Sequence, residues 1–319
     1  MVLQHQQPQF NDQKRKQPLT PLITRFTVSF ILVIFTHFSL SLIPRFFSTS
    51  LLLLQLTLSG TVLLFVLGFG GWCRRILGVN ASAPAFVFFN LFFVWSVYFF
   101  VIRPVVPTHI DAVLNVEAIV LFIGICRMLS SDPGVVTHGN SHSDKVIEAN
   151  SFDVEADNED SLLLKRVRHC KSCNAYVKGF DHHCPAFGNC IGEKNHVLFM
   201  VLLLGFFSTE TSYVIFSFQF VRTPEILAGN RFQIGLYENL VTSTMLFTLL
   251  QVIWQGMFMA WHIYCICFNI RTDEWINWKK YPEFQVNTQS QPGGRLSKMS
   301  FTNPYDKGIL QNVKEFCAG

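Results

Sequence analysis

Six long apolar stretches, at residues 22–43, 50–69, 86–102, 109–129, 196–220 and 238–268, constrain this chain more than any other feature. Each comes near or exceeds the ~20 residues that an α-helix needs to cross a hydrocarbon core of ~30 Å. Inside such a core every backbone N–H and C=O must be satisfied within the segment, so helices are the expected form. Half of the 319 residues are hydrophobic, only 14% are charged and 33 are phenylalanine, a balance that soluble domains rarely carry. The expected fold is an all-α multi-pass membrane protein with about six transmembrane helices. The first stretch carries Arg25 near its start, the fourth carries Glu117 and the fifth Glu210. Intramembrane carboxylates usually face the bundle interior or water, although these two could equally lie near the far interface.

The positive charges set an orientation. Twenty of the 25 Lys and Arg fall on one side of a six-span arrangement, and only Arg45, Arg103, Arg222 and Arg231 on the other, with Arg25 near the first interface. The side richer in Lys and Arg is the cytosolic one, which places both termini and the 130–195 segment in the cytosol. The first apolar stretch begins late and lacks a small-residue cleavage site, so it is expected to stay as a signal anchor. Nothing in the charge pattern points to nucleic acid.

Between the fourth and fifth stretches lies the chemistry. Of nine cysteines, Cys170, Cys173, Cys184 and Cys190 cluster, whereas Cys73, Cys126, Cys265, Cys267 and Cys317 are dispersed. A disulfide framework would spread its pairs; a cluster on the reducing side reads as metal binding or catalysis. Cys170, Cys173, His183 and Cys190 form C-x2-C-x9-H-x6-C, and three thiolates with one imidazole make a closed tetrahedral zinc site of the structural kind. That assignment leaves Cys184 free beside Asp181 and His182. Asp181 can orient His182, and His182 can take the thiol proton, so that Cys184 becomes a nucleophile. Arg166, Arg168, Lys171, Lys178 and Lys194 surround the cluster. They could hold a polyanion such as the phosphates of coenzyme A, or simply solvate the loop and touch anionic lipid.

The chain divides accordingly. Residues 1–21 form a polar cytosolic tail, 22–69 two N-terminal transmembrane helices, and 86–129 the next pair. Asp132-Pro133-Gly134 stops the fourth helix, 130–161 is an acidic flexible loop, and 162–195 is the Cys-rich zinc domain. The last pair of helices occupies 196–268 and a cytosolic C-terminal region 271–319. Within that region Trp275 and Trp278 suit a membrane interface, and 286–302 reads as a polar linker. Ile309, Leu310, Val313 and Phe316 then recur at the spacing of a short amphipathic helix, to lie on the membrane or on the core.

The tetrapeptide Asp181-His182-His183-Cys184, with Cys170, Cys173, Pro185, Asn189-Cys190-Ile191-Gly192, Asn195, Phe199, Asp132-Pro133-Gly134, Thr272-x-Glu274, Asn303-Pro304-Tyr305 and Asn312, resembles the DHHC-type protein S-acyltransferases. The resemblance covers residues 86–317. It implies a core of four transmembrane helices, here preceded by two more, with the Cys-rich domain between the second and third core helices. It further implies that Cys184 accepts a long acyl group such as palmitoyl from acyl-CoA as a thioester. The chain then passes to a cysteine of a membrane-associated protein substrate, with His182 as base and Asp181 as its orienting partner. Such a protein belongs in endomembranes (ER or Golgi) or the plasma membrane. Three departures stand out. The cysteines of a second zinc site are missing, with Tyr176 where one would stand, so one zinc is expected and His169 is free of coordination. Ala186 replaces a common tryptophan, and Arg271 replaces a threonine before Thr272. Two other readings remain open: a non-enzymatic membrane scaffold built on the zinc loop, and a transporter using Glu117 and Glu210.

Overall fold

The computed structural model describes residues 19–136, 166–222, 231–288 and 298–318. The expected tail to residue 18 and the acidic loop from 137 to 165 lie outside the described residues. Six helices among the described residues are long and apolar enough to cross a membrane. They are α1 (Leu19–Phe47), α2 (Leu52–Leu77), α3 (Ala83–Val97, its span continuing through two turns to Val105), α4 (Thr108–Ser130), α5 (His196–Arg222) and α6 (Arg231–Cys267). The chain is a multi-pass membrane protein. Several helices run past their apolar stretches, because continuing the backbone ladder satisfies terminal N–H and C=O groups until a breaker intervenes. For α2 the breaker is Gly78 in the left-handed region. For α3 it is the π-turn Tyr98–Ile102 and the 3-10 turn Arg103–Val105, which lead through Pro104 and Pro107 into α4.

Polar side chains lock the helices at defined heights. Near the far end of α3, Asp111 accepts from Tyr98 Oη (2.9 Å), Arg103 Nε (3.0 Å) and Asn115 Nδ2 (2.8 Å). The two N-terminal helices are joined to the core through α1: His37 Nε2 donates to Asn90 Oδ1 on α3 at 3.1 Å, and its ring stacks on Phe93. At the other end of the same pair, Ser29 Oγ donates to the Ser82 carbonyl and accepts from its N–H. Glu117 accepts from Thr209 across the α4–α5 contact, and Glu210 accepts from Gln255 across α5–α6. Both carboxylates are therefore half-buried ties between helices.

The all-α description holds for the membrane part. Outside it the described residues form three two-stranded antiparallel sheets. The first pairs β1 (Val167–Cys170) with β2 (Ala175–Lys178), the second β3 (His182–Cys184) with β4 (Asn189–Ile191). The apolar core between the first two sheets is small: Cys170, Val177 and Cys190 with Phe180 against them. So small a core needs additional cross-linking to hold a fold.

Asp132-Pro133-Gly134 does more than stop α4. Asp132 Oδ1 accepts from the N–H groups of Gly134 and Val135, and the chain then runs against β2, with Val135 opposite Val177. Gly192 seats this strap: a Cβ there would lie 2.3 Å from the Pro133 carbonyl oxygen. Asn189 and Asn195 finish the joint by donating to the Met128 carbonyl and to Ser131 Oγ at the end of α4.

After α6 the chain forms a short helix α7 (Thr272–Asn277), a third hairpin and a terminal helix α8 (Ile309–Ala318). The hairpin, β5 (Gln285–Thr288) with β6 (Lys298–Phe301), corrects the expectation of a polar linker over 286–302. Its polar composition hides one anchoring ring: Phe301 stacks on the fully buried Phe284 at 5.9 Å and meets Trp275 and Trp278 edge-on. On α8 the inward residues are Asn312, which donates to the Cys267 carbonyl, and Phe316, which meets His196 edge-on. Ile309, Leu310 and Val313 face outward, Leu310 with 90% of its surface exposed.

Candidate active site

Strand alternation divides the Asp181–Cys184 run. Successive side chains on a strand point to opposite faces, so His182 and Cys184 of β3 share one face while His183 takes the other. The β3–β4 register places His183 directly opposite Cys190. The turn between β1 and β2 brings Cys170 and Cys173 to the same place, with Asn174 in the left-handed region. One donor atom from each of Cys170, Cys173, His183 and Cys190 then lies within 4.8 Å of every other. Cys173 Sγ is 3.4 Å from Cys190 Sγ and 3.4 Å from His183 Nδ1. Three sulfurs and one nitrogen at tetrahedral spacing could hold a metal ion. His169, across the strand pair, is exposed and packs on Tyr176, and no metal-ligand group among the described residues includes it.

Asp181, just ahead of β3, is wholly buried. Its Oδ2 accepts from His182 Nδ1 at 2.7 Å and its Oδ1 from the backbone N–H of Thr272 at 2.9 Å. Its own backbone is held on both sides, with N–H to the Ile191 carbonyl and C=O to the Asp273 N–H. Burial would raise the Asp181 pKa, but the His182 hydrogen bond and the neighbouring imidazoles outweigh it and hold the carboxylate ionised, well below its ordinary range. For His182 burial works against the charged ring, yet the hydrogen bond to Asp181 and the nearby Cys184 sulfur push its pKa up to about 9. This dyad can take a proton from a thiol and stabilise the resulting imidazolium.

Cys184 is buried, with 7% of its surface exposed, among Leu121, Ile125 and Met128 of α4 and Phe199, Leu202, Leu203 and Phe206 of α5. The thiol therefore stands where the polar domain meets the packed apolar side chains of two membrane helices. A nucleophile there can meet a reactive carbonyl whose alkyl chain lies among the helices.

Residues 160–279 match the family model described as DHHC palmitoyltransferase. Over that region the chain is similar to the DHHC palmitoyltransferase family. It is 26% identical over 242 residues to palmitoyltransferase ZDHHC17 of Rattus norvegicus, covering 72% of this chain and 37% of that protein. It is 30% identical over 175 residues to probable protein S-acyltransferase 1 of Arabidopsis thaliana, covering 54% of this chain and 45% of that one. Palmitoyltransferase AKR1 of Mortierella alpina is 31% identical over 127 residues, 36% of this chain and 23% of its own length. The chain thus spans less than half the length of each of these relatives.

The site also shows how the departures from the resembled pattern are accommodated. Ala186 packs at the edge of the Cys184 cluster, and Phe187 beside it is buried and meets Phe199 edge-on. Arg271 caps α7 and lies against His196 Nδ1, while its N–H donates to Glu274 Oε2. Thr272 and Glu274 each have a definite task. Thr272 supplies the N–H on Asp181, and the buried Glu274 takes a two-toothed ion pair from Arg166 at 2.8 and 2.6 Å.

Four of the five cations near the cluster stand in ion pairs. Besides Arg166 with Glu274, Arg168 pairs with Glu283 and packs over Tyr281, Lys178 pairs with Glu193, and Lys194 with Asp132. Lys171 is exposed. The two arginines are only 15% exposed and brace the C-terminal region against the Cys-rich domain.

Sequence reading missed the partners that α6 and α7 bring to Asp181. The signal for one of them was present: His262 is an imidazole inside the last apolar stretch, where ionisable groups are costly and functional by default.

Proposed function

We propose that this protein is a protein S-acyltransferase that moves a long-chain acyl group, palmitoyl being the reference case, from acyl-CoA to cysteines of membrane-associated proteins. The observation that carries this reading is the buried Asp181–His182 dyad beside Cys184, whose thiol lies among apolar side chains of α4 and α5. In the first half-reaction Cys184 Sγ gives its proton to His182 and attacks the thioester carbonyl of acyl-CoA. The tetrahedral intermediate collapses, the C–S bond to coenzyme A breaks, and the coenzyme A thiolate recovers a proton from His182. In the second half a substrate cysteine repeats the sequence on the acyl-Cys184 thioester, which frees Cys184. Asp181 orients His182 and stabilises its charged form throughout. Burying the acyl chain contributes on the order of 0.8 kcal/mol per methylene, a reason for this thiol chemistry to sit at a bilayer.

Cys170, Cys173, His183 and Cys190 fit zinc by donor softness, number and spacing. One such ion, when bound, would tie the two hairpins together without an open coordination position. For the coenzyme A phosphates, Lys171, Lys178 and Lys194 are the available cations, the last with 64% of its side chain exposed. The tighter pairing of Arg166 and Arg168 suits them to bracing. The charge asymmetry of the sequence supports placing the Cys-rich domain and both ends of the chain in the cytosol, on an endomembrane or the plasma membrane.

The decisive experiment incubates the purified full chain with labelled palmitoyl-CoA and a cysteine-containing acceptor protein. Wild type should take a hydroxylamine-sensitive label and pass it on, and Cys184→Ser should do neither. Label persisting on Cys184→Ser would remove Cys184 from its role, and labelling without transfer would favour the scaffold reading.

A further inference from the structure

His262 sits on the last turns of α6, wholly buried, with neither ring nitrogen in a hydrogen bond. Unpartnered buried polar groups are rare in folded proteins and call for a reason. Phe258 and Phe199 pack around the ring at 4.5 and 5.0 Å between centroids, and His182 and His196 stand at 5.6 and 6.0 Å. The charged group facing it is Asp181, whose Oδ2 lies 3.9 Å from His262 Nδ1. That oxygen already accepts from His182 Nδ1, and Oδ1 accepts from the Thr272 N–H. A carboxylate offers about four lone-pair sites, so Oδ2 has one left for His262.

We propose that His262 is a positioning residue for acyl transfer: its Nδ1–H closes onto Asp181 Oδ2 in the reacting enzyme and fixes the carboxylate that orients His182. A movement of about 1 Å suffices, in keeping with hydrogen bonds of catalytic groups that tighten only when substrate is bound. His262 keeps its proton throughout. The inference rests on the acyl-transfer reading above. It gives α6, which lines the membrane bundle, a direct hold on the cytosolic-side dyad, so that packing around Phe258 and the orientation of Asp181 become one event.

The geometry makes an atom-level distinction. An asparagine amide reaches where Nδ1 is, a glutamine amide where Nε2 is, and phenylalanine fills the space with neither. The test is the single-turnover rate of acylation by palmitoyl-CoA on the full chain for wild type, Cys184→Ser, His262→Asn, His262→Gln and His262→Phe. Metal content and monodispersity of each variant are checked alongside. Loss of a buried hydrogen bond to a charged group predicts a rate about tenfold to a hundredfold lower for the Gln and Phe variants, with His262→Asn within about threefold of wild type. A His262→Phe rate equal to wild type, or equal rates for the Asn and Gln variants, overturns the role of His262 while Cys184 chemistry stands. If His262→Phe does not fold, the Asn–Gln comparison alone decides. A wild type that takes no label overturns the acyl-transfer reading itself.

Discussion

Asp181 is the residue on which the site turns, because its carboxylate joins the neighbouring His182 to Thr272, which is remote from it in sequence. Its carboxylate holds His182 in the tautomer whose other nitrogen faces the thiol side. Asp181→Asn keeps the shape but can present an N–H where His182 needs an acceptor. Acylation of Cys184 should then fall by about 10²- to 10⁴-fold, by analogy with loss of the carboxylate in a serine triad. Metal content should stay unchanged, since Asp181 is no part of the Cys170–Cys173–His183–Cys190 group; a parallel loss of metal would mean that Asp181 acts on the fold instead. The adjacency of Asp181, His182 and Cys184 made this much readable from the chain alone. Thr272 and His262 were not, because their relation to Asp181 exists only once α6 and α7 pack against β3.

At the scale of elements, the strap from α4 into β2 carries a charge that can be titrated. The hydrogen bond from Lys194, helped by the N–H of Val135, holds Asp132 down at about 2, against an ordinary 3.8. A folded-state pKa below the unfolded one stabilises above the unfolded value and loses that contribution as pH falls through the folded value. The difference in melting temperature between wild type and Asp132→Asn should therefore be full above about pH 5 and shrink as pH falls from about 4 toward 2. A difference independent of pH would assign the effect to the turn rather than to the charge. The paired hairpins permit a second check. With one complete ligand set visible, elemental analysis of the purified protein should find about one zinc per chain, and chelation should melt the Cys-rich domain before the helices. Two zinc ions would mean either that His169 has ligands beyond the described residues or that Asp181, His182 and His262, whose donor atoms also lie within 4.8 Å of one another, hold the second.

For the molecule as a whole, the question is which ends of the helices share a side. Pro84, at the start of α3, lies against Gly188 of the Cys-rich domain, so the α2–α3 loop is on that domain's side. Asn80-Ala81-Ser82 in this loop is a glycosylation sequon, and Asn80 is exposed. On expression in cells with a secretory pathway it should remain unmodified, as a cytosolic loop must. A glycan at Asn80, removed in Asn80→Gln, would reverse the orientation of the entire bundle.

The residues that the sequence by itself determined are those whose meaning is local or periodic. Six apolar stretches implied six crossing helices, because a hydrocarbon solvent leaves the backbone no other way to satisfy itself. The spacing of Cys170, Cys173, His183 and Cys190 implied a common metal, since thiolates and imidazole at that spacing have few other uses in a reducing compartment. Only the tertiary structure decided what the remaining polar residues do. Arg166 is paired with Glu274; the stretch 286–302 looked like a linker, yet Gln285–Thr288 and Lys298–Phe301 pair as strands anchored by Phe301. Glu117 and Glu210 could have faced the bundle interior or lain near the far interface, and they are ties between helices. Hydrogen-bond partners far apart in sequence follow from packing, and local composition carries no record of which side chain will be opposite.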